Sequence, residues 1–204
     1  NSLIGQRSRQ YYANCIRAAH LCGSQYLCIT AANACFDEPK QKLMEYCIEN
    51  LNDLVKVAEE ENVILLLGTV MGMDSPCNAS TPIVLTVDEV AEIIEQIGSS
   101  YLAAYADTQV LSIRGESLTD WFDRLGEKVR FVRFTDGNYN GYRIWGKGVL
   151  PAEKLAEEIY RTGFNGLISF QIPGERYCEN PKDAQKQNHF RALSAWREVM
   201  DCQR

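Results

Sequence analysis

Ala106-Asp107-Thr108, Val132-Arg133-Phe134-Thr135-Asp136 and Leu167-Ile168-Ser169-Phe170-Gln171 are three places where an apolar run gives way to polar side chains. The runs they close, 101–106, 129–134 and 167–170, are short and apolar and read as strands covered on both faces. Helix-period segments lie between them. Thr86 and Glu89 form a capping box for a helix that runs to Gly98, a helix spans about 117–125, and Pro151 opens one that closes at Gly163. Upstream, a helix from about Arg9 to Leu21 ends at Gly23 and a strand follows at 26–30. Asp37 and Pro39 then start a long helix with the apolar stripe Leu43, Cys47, Leu51, Leu54, Val55 and Ala58, and 63–67 is another strand. A last helix covers about 182–199. Five strands thus alternate with six helices, which predicts a parallel sheet covered by helices. A doubly wound sheet and a barrel both satisfy that alternation.

The chain has 204 residues, of which 46% are apolar and 24% charged, enough for one domain with a buried core. Its net charge of −6 argues against a nucleic-acid partner, because phosphate backbones select basic surfaces. No apolar run approaches the ~18 residues needed to cross a bilayer. The eight cysteines show no CxxC pair or zinc-type spacing, so they read as reduced thiols in a cytoplasmic protein.

The three strand ends resemble the sixth, seventh and eighth strands of the sugar isomerase/epimerase family, the xylose isomerase-like TIM barrels. So do two connecting stretches, Trp121-Phe122-Asp123-Arg124-Leu125-Gly126 and Gly163-Phe164-Asn165-Gly166. The tail from Tyr177 through Pro181 to Phe190-Arg191-Ala192-Leu193 also matches. Within the family, the ketose epimerases related to fructoselysine epimerase are the nearest in pattern. The resemblance covers nearly the whole chain and implies a (β/α)8 barrel of which about the first three strands are missing. Residues 1–204 are then the C-terminal portion of a single barrel domain, since a full barrel takes about 250 residues. Barrels of this family commonly associate, which leaves a homo-oligomer open, but no exposed apolar stripe marks an interface.

The resemblance also implies a divalent metal (manganese, cobalt, magnesium or zinc) held at the strand ends by two glutamates, an aspartate and a histidine. Residue by residue, the first glutamate falls on Gly68, the aspartate on Asp107, the histidine on Arg133 and the second glutamate on Gln171. Only Asp107 is retained, and the acid/base pair falls on Gly68 and Gln171, which cannot exchange protons. The two histidines, His20 and His189, lie on helices. No bound metal or other cofactor is therefore expected. An Asp107–Arg133 ion pair, bidentate and hydrogen-bonded to Gln171, is expected in its place.

Further candidates lie nearby. Asp74 matches a second acidic position that contacts substrate, Asp136 is expected to brace the loop that follows it, and Lys147 with Arg143 adds positive charge to Gly146-Lys147-Gly148. Tyr139, Tyr142 and Trp145 are candidates to stack on a sugar face or to cover the barrel end. The expectation is a family member with a degenerate metal site that binds a sugar or sugar phosphate through Asp74, Asp107, Arg133, Gln171 and Lys147, with little or no catalysis. The alternative is an active isomerase or ketose epimerase with a rearranged site. An endonuclease-like reading fails for want of strand-end histidines and a basic surface.

Overall fold

The computed structural model describes residues 2–31, 33–35, 38–70 and 80–202. They form two compact units, Asn1–Tyr105 and Ala106–Arg204. In the first, α1 (Ser2–Leu21), β1 (Tyr26–Thr30), β2 (Asn33–Cys35), α2 (Lys40–Glu60), β3 (Ile64–Gly68), β4 (Ser80–Pro82) and α3 (Val87–Ile97) lead into β5 (Leu102–Asp107), which crosses the boundary. β1, β3 and β5 pair in parallel, with Tyr26 opposite Ile64, Thr30 opposite Gly68 and Leu67 opposite Ala104. Leu65, Leu66 and Leu67 are fully buried, as a strand covered on both faces requires. β2 and β4 add a small antiparallel ladder.

Local chemistry accounts for the helix limits. Thr86 Oγ1 accepts from the Glu89 N–H, Glu89 Oε2 accepts from the Thr86 N–H, and Gly98 closes α3 in the left-handed region at φ 64°. The buried stripe of α2 is Met44, Cys47, Leu51, Leu54, Val55 and Ala58, so Met44 takes the place expected for Leu43. Burial pushes the Cys47 thiol up to about 11, which makes it an inert hydrophobe. α1 begins seven residues before the expected start because its first turns carry neither a cap nor an apolar stripe to read.

The second unit continues with α4 (Thr108–Arg114), α5 (Leu118–Leu125), β6 (Val129–Arg133), β7 (Asp136–Asn138), β8 (Gly141–Arg143), α6 (Ala152–Arg161), β9 (Leu167–Ser169) and α7 (Pro181–Cys202). β6 and β9 are parallel, and β7 and β8 form an antiparallel hairpin. α4 is a helix that periodicity does not announce, since it has two turns and no room for an apolar repeat. The core centres on Phe134, stacked on Trp145 with ring centroids 4.3 Å apart, and on the fully buried Trp121, Leu118 and Ile159. No helix among the described residues is long and apolar enough to cross a membrane.

Asp136 organises the loop after the hairpin. Its carboxylate is buried and accepts the backbone N–H groups of Gly137, Gly146, Gly148 and Leu150 at 2.7–3.1 Å. A Cβ on Gly148 would sit 2.1 Å from Asp136 Oδ1, so this position admits only glycine. The bracing role expected of Asp136 is the one found. Asp136→Ala leaves four N–H groups without an acceptor and is expected to cost about 3 kcal/mol or more in urea unfolding. A loss below about 1 kcal/mol would show that water replaces the carboxylate.

Candidate functional site

β5 ends on Asp107, whose carboxylate is 3% exposed. Every partner it has among the described residues comes from the same unit. Oδ1 accepts the N–H of Gln109 at 3.1 Å and of Val110 at 3.3 Å, making Asp107 the N-cap of α4. The Thr135 hydroxyl donates to the same oxygen at 2.9 Å. Oδ2 accepts from the Tyr142 hydroxyl at 2.8 Å and lies 3.5 Å from Arg133 Nη1. Thr108 ties the turn together: its hydroxyl donates to the Thr135 carbonyl at 2.6 Å and accepts the Thr135 N–H at 2.8 Å.

Arg133 is thus beside Asp107, with the shortest ion-pair contact at 3.5 Å and without the expected bidentate hydrogen bonds. The reason is occupancy: three donors crowd Oδ1, and the Tyr142 hydroxyl shares Oδ2. Gln171 is exposed and is not among the partners of Asp107, so the hydrogen bond expected from it is absent and Thr135 and Tyr142 supply the donors instead. Burial pushes the Asp107 carboxyl above its ordinary range, opposed by the Tyr142 hydroxyl, the Arg133 charge, Thr135 and the Val110 amide. Burial, and then the Asp107 charge, push the Tyr142 phenol up, so it remains a protonated donor.

The first unit shows what became of Gly68. A Cβ there would lie 2.4 Å from Cε1 of Tyr105, whose ring is 4% exposed. The ring fills the space that a larger side chain at 68 would enter. Tyr105 was not legible as a site residue, although its place two residues before Asp107 puts both on one face of β5. Among the other candidates, Lys147 is exposed, Tyr139 is 93% exposed, and Trp145 is buried against Phe134 with its indole N–H on the Phe134 carbonyl. Trp145 therefore covers the core and stacks on no ligand. Asp74 lies outside the described residues.

These residues do not fit the family's metal. Position 68 brings no donor, Arg133 brings a cation, and the oxygens of Asp107 are committed to five neighbours. No three His, Cys, Asp or Glu side chains among the described residues converge into a group that could hold an ion.

Two measurements test the packing. Gly68→Ala is expected to destabilise by about 1–3 kcal/mol through overpacking, and the same change in a Tyr105→Ala background by far less, the non-additivity of a contacting pair. Arg133→Met removes one group that holds the Asp107 carboxyl down, so its folded pKa rises further above the unfolded value. A raised carboxyl favours the folded state at low pH and loses that advantage as pH climbs through the folded pKa. Urea unfolding should therefore show a small deficit in the ordinary carboxylate range and a loss of about 1–3 kcal/mol at pH 8; a pH-independent deficit would mean that Arg133 acts by packing alone.

The chain is 26% identical over 174 residues to fructoselysine 3-epimerase of Escherichia coli O157:H7, covering 82% of this chain and 60% of that protein. It is 23% identical over 147 residues to D-psicose 3-epimerase of Enterocloster bolteae, covering 72% of this chain and 46% of that protein. The chain thus spans less than two thirds of these relatives. A crystal structure of a D-tagatose 3-epimerase-like protein superposes with a TM-score of 0.84 at 15% identity, over 100% of this chain and 74% of that one, a likeness of fold. The family model of the xylose isomerase-like TIM barrel matches residues 2–195. The alternation that left a doubly wound sheet and a barrel equally open is therefore that of a barrel, and the chain belongs to the xylose isomerase-like TIM barrel family.

Proposed function

We propose that this chain is a family member whose metal site has been given up, and that it binds a sugar or sugar phosphate with little or no catalysis. The observation that supports this most is the commitment of Asp107. The one retained ligand position caps α4 and pairs with a cation, and neither of its oxygens is left for an ion or a sugar hydroxyl. The positions of the acid/base pair add to it: Gly68 has no side chain, and Gln171 has no titratable proton. The names of the relatives, epimerases of fructoselysine and psicose, support a ketose-like ligand.

On this reading residues 1–204 are the C-terminal portion of one barrel domain. The partner is a small molecule and not a nucleic acid, in keeping with the net charge of −6. The setting is cytoplasmic, where the exposed thiols Cys22, Cys178 and Cys202 stay reduced. The alternative, an active epimerase with a rearranged site, needs a proton-exchanging pair that none of these positions supplies.

Titration with manganese and with cobalt, followed by elemental analysis of the desalted protein, tests the reading. The expected outcome is no stoichiometric binding and no ketose epimerisation above background. One tightly held ion per chain would overturn it.

A further inference from the structure

Asp107 itself is closed to solvent and its oxygens are held by neighbouring donors, which points for a ligand contact to other surfaces of the second unit. We infer that the groove between the β8 loop and the first turn of α7 binds a small polyhydroxyl oxyanion, a sugar phosphate or a sugar acid. The inference rests on the sugar-binding part of the reading above and not on the loss of the metal.

β8 has two faces, because successive side chains on a strand point opposite ways. Tyr142 sends its hydroxyl to Asp107, and Arg143, next along, lines a groove of about 470 Å³. Binding sites for small molecules run to about 300–1,000 Å³. Lys147 lines the same groove, and among the described residues neither cation has a carboxylate within 4.0 Å, whereas Arg161 and Arg191 are paired with Glu157 and Glu153. Arg143 gives one N–H to the Tyr142 carbonyl at 3.1 Å, which leaves the rest of its guanidinium for a ligand.

The opposite wall carries hydroxyl-binding chemistry. Asp183 also lines the groove; its carboxylate accepts from Asn180 Nδ2 at 2.7 Å and, among the described residues, forms no ion pair with either cation, so the lining keeps an excess of positive charge. Asp183, Asn180 and Gln187 present acceptors and amide donors, the pairing that sugar hydroxyls need. Tyr177 is fixed as a side wall, since its hydroxyl accepts the Ile144 N–H at 3.2 Å. Two cations against one carboxylate make a locally positive site on a chain of net charge −6, which concentrates anions there. The loop that carries Lys147 is held in advance: Asp136 binds the amides on both sides of it, at Gly146 and Gly148. A lysine in an ordinary solvated turn has no such brace.

Calorimetric titration at fixed ionic strength tests this with inorganic phosphate, fructose 6-phosphate, gluconate and fructose. Fructose 6-phosphate or gluconate should bind more tightly than fructose, and whichever of the two is preferred distinguishes phosphate from carboxylate as the anionic group. Lys147→Ala and Arg143→Ala should each weaken that binding roughly ten- to a hundredfold, the worth of one charge-assisted hydrogen bond. Circular-dichroism melting of both variants confirms that they fold. Affinities unchanged in both variants, fructose binding as well as its phosphate, or no anion binding below the millimolar range would each overturn the proposal. A manganese titration on the same sample separates the two readings: stoichiometric metal sinks the degenerate site and leaves the groove standing.

Discussion

A carboxylate buried at the end of a strand is the constraint from which the second unit follows. An ionised oxygen pair away from water costs several kcal/mol unless donors replace its hydration. Asp107 offsets part of that cost with two backbone N–H groups, two hydroxyls and a guanidinium, and burial still holds its carboxyl above the ordinary range. Each donor fixes an element. The amides start α4, Thr135 fixes the end of β6, and Tyr142 fixes the β7–β8 hairpin. Asp136, at the next strand end, repeats the solution with four amides and so fixes the loop after the hairpin. Both acidic groups are thereby turned into scaffolding.

The cost of that arrangement is chemical. In a metal-dependent isomerase the strand-end carboxylates must keep lone pairs facing the cavity, and here they face backbone and side-chain donors. Gly68 shows the same change in terms of volume: no side chain is left to offer a ligand, and the Tyr105 ring lies where one would extend. The barrel's framework is indifferent to these exchanges, because it rests on the buried leucines of β3, the apolar run of β5 and the Phe134–Trp145 stack. Fold and chemistry separate readily when the residues that carry them do not overlap.

β8 links the two faces of the second unit. One side of this three-residue strand meets the Asp107 network through Tyr142 and the other brings the half-buried Arg143 to the groove that Lys147 also lines.

The residue sequence was enough to determine the alternation of strands and helices, the capping box at Thr86, the bracing role of Asp136 and the family. These depend on local spacing or on the identity of a single residue. The chemistry at positions 68, 133 and 171 is legible for the same reason, since glycine, arginine and glutamine are poor metal donors wherever they point. What only the tertiary structure decided was partnership. Thr135 and Tyr142 reach Asp107 from 28 and 35 residues away, Gln171 is exposed and makes no bond to Asp107, α4 hangs on a cap with no apolar repeat behind it, and Tyr105 covers Gly68 from the neighbouring strand. Pairings at such separations are set by strand register and by which donor arrives first at a buried oxygen, and neither leaves a periodic trace in the chain.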